Sequence, residues 1–297
     1  MSTMAVQLLA AALLGITLWL AYRKWVRPHK DLDWQQRGAL LLTLLALAGG
    51  LLGSPFWWLD EPRSFAWDLP PLASRMLASA GVSFFVLCVL ALQRPTFRRI
   101  RLVMLLLFVY LAPLAAAIFL FHLDRFDPAQ PITYAFFAIA LVMTVASTWY
   151  LVRPSRGILP GAPSDAAAPD ALAKGWLSAV ALVMGVWGVA LFITDRGPSD
   201  LIWVWQGDLL SSRLIGAMLL AIAAGSAYSL RHGDISRVML ATTSTYALGL
   251  AIASLWNVVA GKPIKPAYLA VFGVVFAVSV ILLARSHSTK TPARAGV

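Results

Sequence analysis

The sequence predicts an all-α polytopic membrane protein, and the prediction rests on composition, apolar runs and the placement of basic residues. Of its 297 residues, 60% are hydrophobic and 12% are charged, which is about half the charged fraction of a soluble protein. Apolar runs of about 20 residues, the length that crosses a hydrocarbon core of ~30 Å, recur along the chain. The short alternating segments of a β-barrel are not found in the sequence.

Nine apolar runs are long enough to be transmembrane helices. They cover residues 4–22, 38–58, 72–92, 102–123, 132–152, 175–194, 209–230, 238–259 and 267–284. The first run is predicted to be a retained anchor, because no positive charge precedes it and no small-residue cleavage site follows it.

The chain is predicted to contain two four-helix units behind this anchor. Residues 154–174 are rich in Pro, Ala and Gly, a composition typical of a flexible linker. The predicted organisation is an anchor with its loop (1–36), a first unit (37–153), the linker, a second unit (175–285) and a disordered cytoplasmic tail (286–297).

The loops that carry the basic residues predict the orientation of the chain. One side of the membrane receives only seven of the 24 Lys and Arg residues, which leaves 17 for the other side. The seven are Arg63, Arg75, Arg125, Arg196, Arg213, Lys262 and Lys265. Because cytoplasmic loops are enriched in Lys and Arg, we predict an external N-terminus and a cytoplasmic C-terminus. The net charge of +11 is explained by these loops, and no nucleic-acid partner is predicted.

The two predicted units resemble each other in sequence. WDLPPLASRML (67–77) aligns with WQGDLLSSRLI (205–215) at an offset of 138 residues, which pairs Trp67 with Trp205 and Arg75 with Arg213. The same offset pairs Arg99 with Arg237, and a shortening by three residues then pairs Pro131 with Pro266. Because each unit has an even number of spans, the copies are predicted to be parallel and related by a pseudo-twofold axis along the membrane normal.

The repeated arginine is the main candidate for a binding site. A cation in the first turn of a helix opposes the helix dipole, so Arg75 and Arg213 must gain stabilisation elsewhere. Two interpretations are open: the guanidinium snorkels to lipid phosphates or nearby carboxylates, or the pair recognises an anionic group between the units. The candidate binding residues are Trp67, Asp68, Arg75, Trp205, Asp208 and Arg213. Trp57, Trp58, Trp67, Trp203 and Trp205 are interpreted as an interfacial belt.

Residue patterns typical of cofactor sites and catalysis are missing from the sequence. None of the 13 acidic residues lies in the middle of a predicted span, which disfavours proton- or sodium-coupled transport. The single cysteine, Cys88, lies within an apolar run, and only one of the four histidines, His122, is near an external helix end. We therefore predict no haem, metal or other cofactor, and no enzymatic activity.

The segment PLASRMLAS (71–79), with the basic turn and the two spans that follow it, resembles bacterial multipass membrane proteins of unknown function built from four-helix units. In those proteins an external segment with Trp, Pro-Leu and Ser/Thr followed by Arg precedes a helix rich in small residues. The match covers about 57–153 and 191–285, although the second copy has Asp208 and Leu209 in place of the two prolines. The resemblance implies the fold and a cell-membrane location, and it implies no activity.

Three classes of function remain open. A non-catalytic, lipid-embedded binding or scaffold protein agrees best with the missing catalytic groups. A facilitated transporter of a hydrophobic or anionic solute agrees with the parallel duplication, and a lipid-modifying enzyme agrees with the external Trp, Arg and Asp residues. Membrane lipids are the expected partners, and a protein partner in the membrane stays open.

Overall fold

The computed structural model of the protein describes residues 3–153, 169–193, 208–262 and 264–288. These ranges contain nine α-helices. The helices are α1 (Thr3–Trp25), α2 (Trp34–Trp58), α3 (Pro71–Gln93), α4 (Phe97–Phe121), α5 (Pro131–Val152), α6 (Ala171–Ile193), α7 (Leu209–Ser229), α8 (Gly233–Val259) and α9 (Pro266–Ser288). Short 3₁₀ turns at Pro62–Ser64 and Leu123–Arg125 follow α2 and α4. The prediction of an all-helical protein is confirmed for the described ranges.

Eight of these helices, α2 to α9, are long and apolar enough to cross a membrane. Their length and composition confirm the prediction of a multi-pass membrane protein. Helices α2–α5 correspond to the predicted first unit, and helices α6–α9 correspond to the second. Residues 154–168 of the predicted linker and 289–297 of the predicted tail lie outside the described residues.

Local capping chemistry explains where several helices begin. Asp33 and Gln36 form a reciprocal capping box at the start of α2, and the Thr96 hydroxyl accepts the Arg99 amide at the start of α4. Such caps satisfy amide groups that have no partner within the helix. Helix α6 begins at Ala171, within the predicted linker, because the Asp170 carboxylate accepts the amide of Ala173 at 2.6 Å. Helix α9 continues to Ser288, so the first residues of the predicted tail are helical.

Helices pack in pairs within each unit and across the two units. Within the units, α2 packs on α3, α4 on α5, α6 on α7 and α8 on α9. Across the units, α3 packs on α8 and α4 packs on α7. The buried core is continuous across both units. Among the described helices, α2 is the main neighbour of α1.

Glycines allow the closest helix crossings. A Cβ atom on Gly50 in α2 would overlap the carbonyl oxygen of Gly81 in α3. A Cβ atom on Gly188 in α6 would lie 2.9 Å from the carbonyl oxygen of Gly216 in α7. Without a hydrophobic driving force between helices in lipid, close backbone approach through small residues is a main source of association.

The seam between the units is also tightly packed where α3 meets α8. The Ser83 hydroxyl in α3 donates to the Thr242 carbonyl in α8 at 3.0 Å. A Cβ atom on Gly249 in α8 would overlap the Ser79 side chain in α3. These contacts place small and hydroxyl-bearing side chains between the units, where one hydroxyl bonds to the facing helix and little space is left.

Candidate functional site

Arg213 lies in the second turn of α7 and joins the ends of two neighbouring helices. Its Nε donates to the Phe192 carbonyl in the last turn of α6 at 3.2 Å. Its Nη1 lies 2.7 Å from Nε2 of His122, directly after α4. The guanidinium carbon also lies 5.0 Å from the centroid of the Phe121 ring. Arg213 therefore binds its own unit through α6 and the first unit through α4.

The position of Arg213 explains how a cation is tolerated near the N-terminus of α7. Helices α4 and α6 run antiparallel to α7 and end beside it, so their negative dipole ends face the guanidinium. The Phe192 carbonyl is one of the last four of its helix, which have no partner within that helix. Arg213 supplies the missing donor.

His122 acts as the acceptor in this contact. Since an arginine side chain can only donate, Nε2 of His122 must be unprotonated, and the proton of the neutral ring then resides on Nδ1. Partial burial, and then the Arg213 charge, lower the pKa of His122 from its usual value near 6.5, with a further small effect of Arg125 in the same direction. The carboxylates of Asp124 and Asp208 oppose this shift. The neutral ring is thus the form that fits the contact.

Arg75 lies at the aligned position in α3 and contacts the second unit more weakly. Its Nη1 donates to the Pro71 carbonyl of its own helix at 3.1 Å. Its guanidinium carbon lies 5.7 Å from the centroid of the Trp256 ring in α8. Its Nε is buried and has no hydrogen-bond partner within the described chain. Both arginines thus reach from their own unit to the other one.

The two candidate carboxylates are placed differently from the predicted pairing. Snorkelling to a nearby carboxylate predicts that at least one of the two arginines pairs with the aspartate of its own repeat, Asp68 or Asp208. Asp208 instead caps α7 by accepting the Ser211 amide and forms an ion pair with Arg125 at 4.0 Å. Asp68 is exposed. Within the described residues neither Arg75 nor Arg213 forms an ion pair with a carboxylate, because backbone, ring and imidazole groups occupy their surroundings.

Trp67 is buried and is not part of an exposed interfacial belt, which corrects that interpretation for this residue. Only 7% of its surface is exposed. Its ring lies 5.4 Å from each of the rings of Phe126 and Phe136, edge-on to the latter. These aromatic contacts anchor the segment before α3 over α4 and α5. Trp205, its aligned counterpart, lies outside the described residues.

The same use of arginine recurs at the opposite end of the helices. Arg99 in the first turn of α4 donates to the Leu90 carbonyl in the last turn of α3 at 2.9 Å. Arg237 in α8 donates to the Ser286 carbonyl in the last turn of α9, also at 2.9 Å. Three of the four repeated arginines therefore bond to carbonyl groups that a neighbouring helix leaves unpaired at its end.

The site offers anchoring groups and no recognisable catalytic pair. Within the described residues, no cluster of three His, Cys, Asp or Glu side chains has the geometry to hold a metal ion. Among the described residues, the charged groups around His122 are Arg213, Arg125, Asp124 and Asp208, two of each sign. Because the positive and negative charges balance, these side chains are better suited to bind one another than to bind an anionic ligand tightly.

The chain matches no known protein-family model, no curated protein sequence and no solved structure. Its function therefore has to be argued from the geometry of its own residues.

Sequence reasoning missed the partners of the two arginines. The sequence places His122 near an external helix end without indicating a partner for it, and it does not single out Phe121 or Trp256. A signal was available: the offset of 135 residues that aligns Pro131 with Pro266 also aligns Phe121 with Trp256 and His122 with Asn257. An aromatic residue at the same helix end in both copies could have been matched to the repeated arginine.

Proposed function

We propose that the protein is a non-catalytic, lipid-embedded binding or scaffold protein of the cell membrane. In this proposal α1 is a ninth membrane helix, and the eight others form two parallel copies of a four-helix unit. The N-terminus is external and the C-terminus is cytoplasmic. The resemblance to proteins built from four-helix units agrees with this architecture.

The pairing of the helices supports the proposed duplication. Exchanging the units converts the α2–α3 pair into α6–α7 and the α4–α5 pair into α8–α9, and all four pairs are in contact. The same exchange converts the α3–α8 contact into the α7–α4 contact, which is also present. Arg75 and Arg213 exchange as well, each reaching an aromatic ring of the other unit. A pseudo-twofold axis along the membrane normal would produce this pattern.

The proposed orientation can be tested with reporter fusions. Fusions after Ala167 and Gly296 are expected to report a cytoplasmic location, and a fusion after Pro198 an external one, because of the loop charges. A cytoplasmic signal at Pro198 would contradict the orientation.

The observation that carries the functional proposal is how Arg213 is bound. The repeated arginine was the best candidate for a ligand-recognising group, and its hydrogen bonds go to the Phe192 carbonyl and to His122. The Arg213 guanidinium, at the predicted external end of α7, thereby joins the two units. A protein whose charged side chains fix its own architecture is better suited to present a stable surface than to transform a substrate.

Reconstitution into vesicles tests the proposal against the two other classes. Vesicles with trapped carboxyfluorescein, with and without the protein, report release of an anionic solute, and thin-layer chromatography of their lipids reports modification. We expect release and lipid composition to equal those of protein-free vesicles. Saturable release would show a carrier, a new lipid product would show an enzyme, and either result would overturn the proposal.

Facilitated transport is the second candidate, and one observation favours it. Hydroxyl groups are buried at and near the seam between the units, and those of Thr243 and Tyr246 in α8 have no hydrogen-bond partner within the described chain. Buried polar groups normally have partners, so a second arrangement of the units could use these hydroxyls to bind a polar solute. The vesicle experiment decides between the candidates.

A further inference from the structure

A groove of about 690 Å³ runs along the outside of the first unit between α2 and α5. Its volume is in the range of small-molecule sites, and its lining is almost wholly apolar. The walls are exposed side chains such as Leu41 and Val145, while the floor is formed by buried ones such as Leu42 and Met104. The groove is thus a built depression in a surface that faces lipid.

The length of the groove corresponds to one leaflet of the bilayer. On α2 its lining extends from Trp34 to Leu45, which is a rise of about 17 Å at ~1.5 Å per residue. On α5 it extends from Leu141 to Tyr150, near the end of that helix. Half of a hydrocarbon core of ~30 Å is about 15 Å. One extended acyl chain of the leaflet at which α2 begins has this length.

The open end of the groove carries aromatic and basic side chains. Trp34 and Trp149 flank it, with 71% and 43% of their surfaces exposed. The Arg153 guanidinium carbon lies 4.7 Å from the centroid of the Trp149 ring, and Arg37 follows one turn after Trp34. These residues occupy the headgroup level if an acyl chain fills the groove.

The basic side chains at this level outnumber the acidic ones. Lys30, Arg37, Arg101 and Arg153 lie on the connection before α2 or on the adjacent ends of α2, α4 and α5. Among the described residues, Asp31 and Asp33 are the acidic ones beside them, and Asp33 is engaged in the capping box of α2. The excess of positive charge complements a phosphate-bearing headgroup, for which each basic residue contributes about 1 kcal/mol near a membrane surface.

The second unit fills the equivalent place with a side chain. The offset of 138 residues aligns Gly38, which lines the groove, with Trp176 in α6. The Trp176 indole reaches α9 and donates to the Ser279 hydroxyl at 3.0 Å. A Cβ atom on Gly38 would contact nothing within 4 Å. The first unit therefore leaves open a space that the second unit closes.

We infer that the groove between α2 and α5 is a binding site for one anionic phospholipid. One acyl chain lies in the groove between the α2 and α5 walls, and Trp34 and Trp149 lie beside the glycerol backbone. Arg153 and Arg37 bind the phosphate through charge-assisted hydrogen bonds. This inference concerns lipid recognition on the outer wall of the first unit and does not depend on the proposed function.

Native mass spectrometry of the full chain tests the site. Delipidated protein in dodecyl maltoside is titrated with palmitoyl-oleoyl-phosphatidylglycerol or with the corresponding phosphatidylcholine. The Gly38→Trp variant is expected to bind one tightly held phosphatidylglycerol fewer than the parent, because the indole fills the groove. The Arg153→Gln variant is expected to keep the acyl-chain site and to lose about fivefold of its preference for phosphatidylglycerol.

Gly175→Trp is the matched control, because Gly175 lies in the first turns of α6, is exposed, and has space for a Cβ atom. This variant is expected to bind as many phosphatidylglycerol molecules as the parent. Val145→Trp fills the groove from the α5 wall and serves as a second test if Gly38→Trp does not fold. Unchanged lipid counts in both groove variants would overturn the inference. A dimer that both groove variants dissociate without loss of lipid would assign the groove to a second copy instead, and would overturn it equally.

Discussion

The Arg213 contacts and the Arg75 contacts occupy aligned places in the two units and differ in strength. Arg213 forms hydrogen bonds to the Phe192 carbonyl and to His122. Within the described residues Arg75 forms a hydrogen bond to its own helix alone and reaches the other unit through the Trp256 ring. At the place of His122 the second unit has Asn257, which is buried with its Oδ1 unpaired in the described chain. The same arginine thus makes a strong link in one direction and a weak link in the other.

The glycine crossings contrast with the arginine contacts, because each unit has a glycine at the same aligned position of its first helix. Gly50 in α2 aligns with Gly188 in α6 at the same offset of 138 residues. A Cβ atom on either glycine would lie too close to a backbone carbonyl oxygen of the next helix, α3 or α7. Backbone contacts of this kind tolerate no added side chain, whereas the partners of an arginine can be exchanged for others. Both predicted units therefore keep this glycine, although the facing glycine differs in position, because Gly81 aligns with Leu219 and Gly216 aligns with Ala78.

The crossings should give the largest loss of stability. We expect Gly50→Ala and Gly188→Ala each to destabilise the protein by about 3 kcal/mol, the upper end of the usual cost of overpacking, because the added methyl group meets backbone atoms and forces the helices apart. The two variants should lose a comparable amount of stability if the two units are equivalent. Thermal unfolding in dodecyl maltoside measures both.

Gly49→Ala is the control for this experiment. Gly49 is adjacent to Gly50 in α2, but a Cβ atom there meets nothing within 4 Å. Alanine is favoured over glycine in a helix interior, so this variant should unfold at the parent temperature or slightly above it. A loss of stability in Gly49→Ala equal to that in Gly50→Ala would show that the crossing is not the cause.

The arginines should give an intermediate and unequal effect. Arg213→Gln removes hydrogen bonds from a charged donor, worth about 1.5–3 kcal/mol in such contacts. Arg75→Gln removes mainly a ring contact, worth about 0.5–1 kcal/mol at a half-exposed position. We therefore expect the unfolding temperature to fall more for Arg213→Gln than for Arg75→Gln.

Lysine variants sharpen this comparison. Arg213→Lys keeps the charge but cannot reproduce the rigid fork that bonds to two partners, so it should recover only part of the stability. Arg75→Lys should behave nearly as the parent, since an ammonium group also interacts with an indole ring. Equal losses in all four variants, or none in any, would mean that both arginines are plain interfacial anchors.

The helices could be predicted from the sequence, because the thickness of the bilayer sets the length of an apolar span. The predicted spans coincide with the helices to within five residues. The largest differences are at the starts of α4 and α8, each of which begins five residues earlier than predicted, and caps such as Asp33 and Asp170 start α2 and α6 four residues earlier. The partners of the candidate site could not be predicted in the same way. Asp208 was nearest to Arg213 in sequence, but helix packing brought it to Arg125 and brought His122 to Arg213.

The burial of Trp67 shows the same limit. A tryptophan at a predicted span end is typical of an interfacial belt, and no local pattern distinguishes it from a buried one. Its burial depends on Phe126 and Phe136, which follow Trp67 by some 60 to 70 residues in the sequence. Such long-range contacts are visible only once the helices are packed.

The smallest effect should be a pH dependence that belongs to the Arg213 contacts alone. Burial and the Arg213 charge lower the pKa of His122 below its usual value near 6.5. Between the lower pKa of the folded protein and the usual pKa, His122 is protonated in the unfolded chain and neutral in the folded chain. The stabilisation is therefore fully present above about pH 6.5 and is lost as the pH falls through the lower pKa of the folded protein. Asn257, at the aligned place, does not titrate in this range.

His122→Gln isolates this contribution, because an amide oxygen can accept the Arg213 hydrogen bond without titrating. The parent and the variant should unfold at similar temperatures at pH 8, and the parent should lose more stability between pH 6.5 and 5. His232 contributes in the same range, since burial and then the Arg98 charge lower its pKa. The loss of stability that His232 causes is the same in the parent and in His122→Gln, so it cancels when their unfolding temperatures are compared. Parallel unfolding temperatures for parent and variant across this range would mean that His122 does not hold Arg213 as a neutral acceptor.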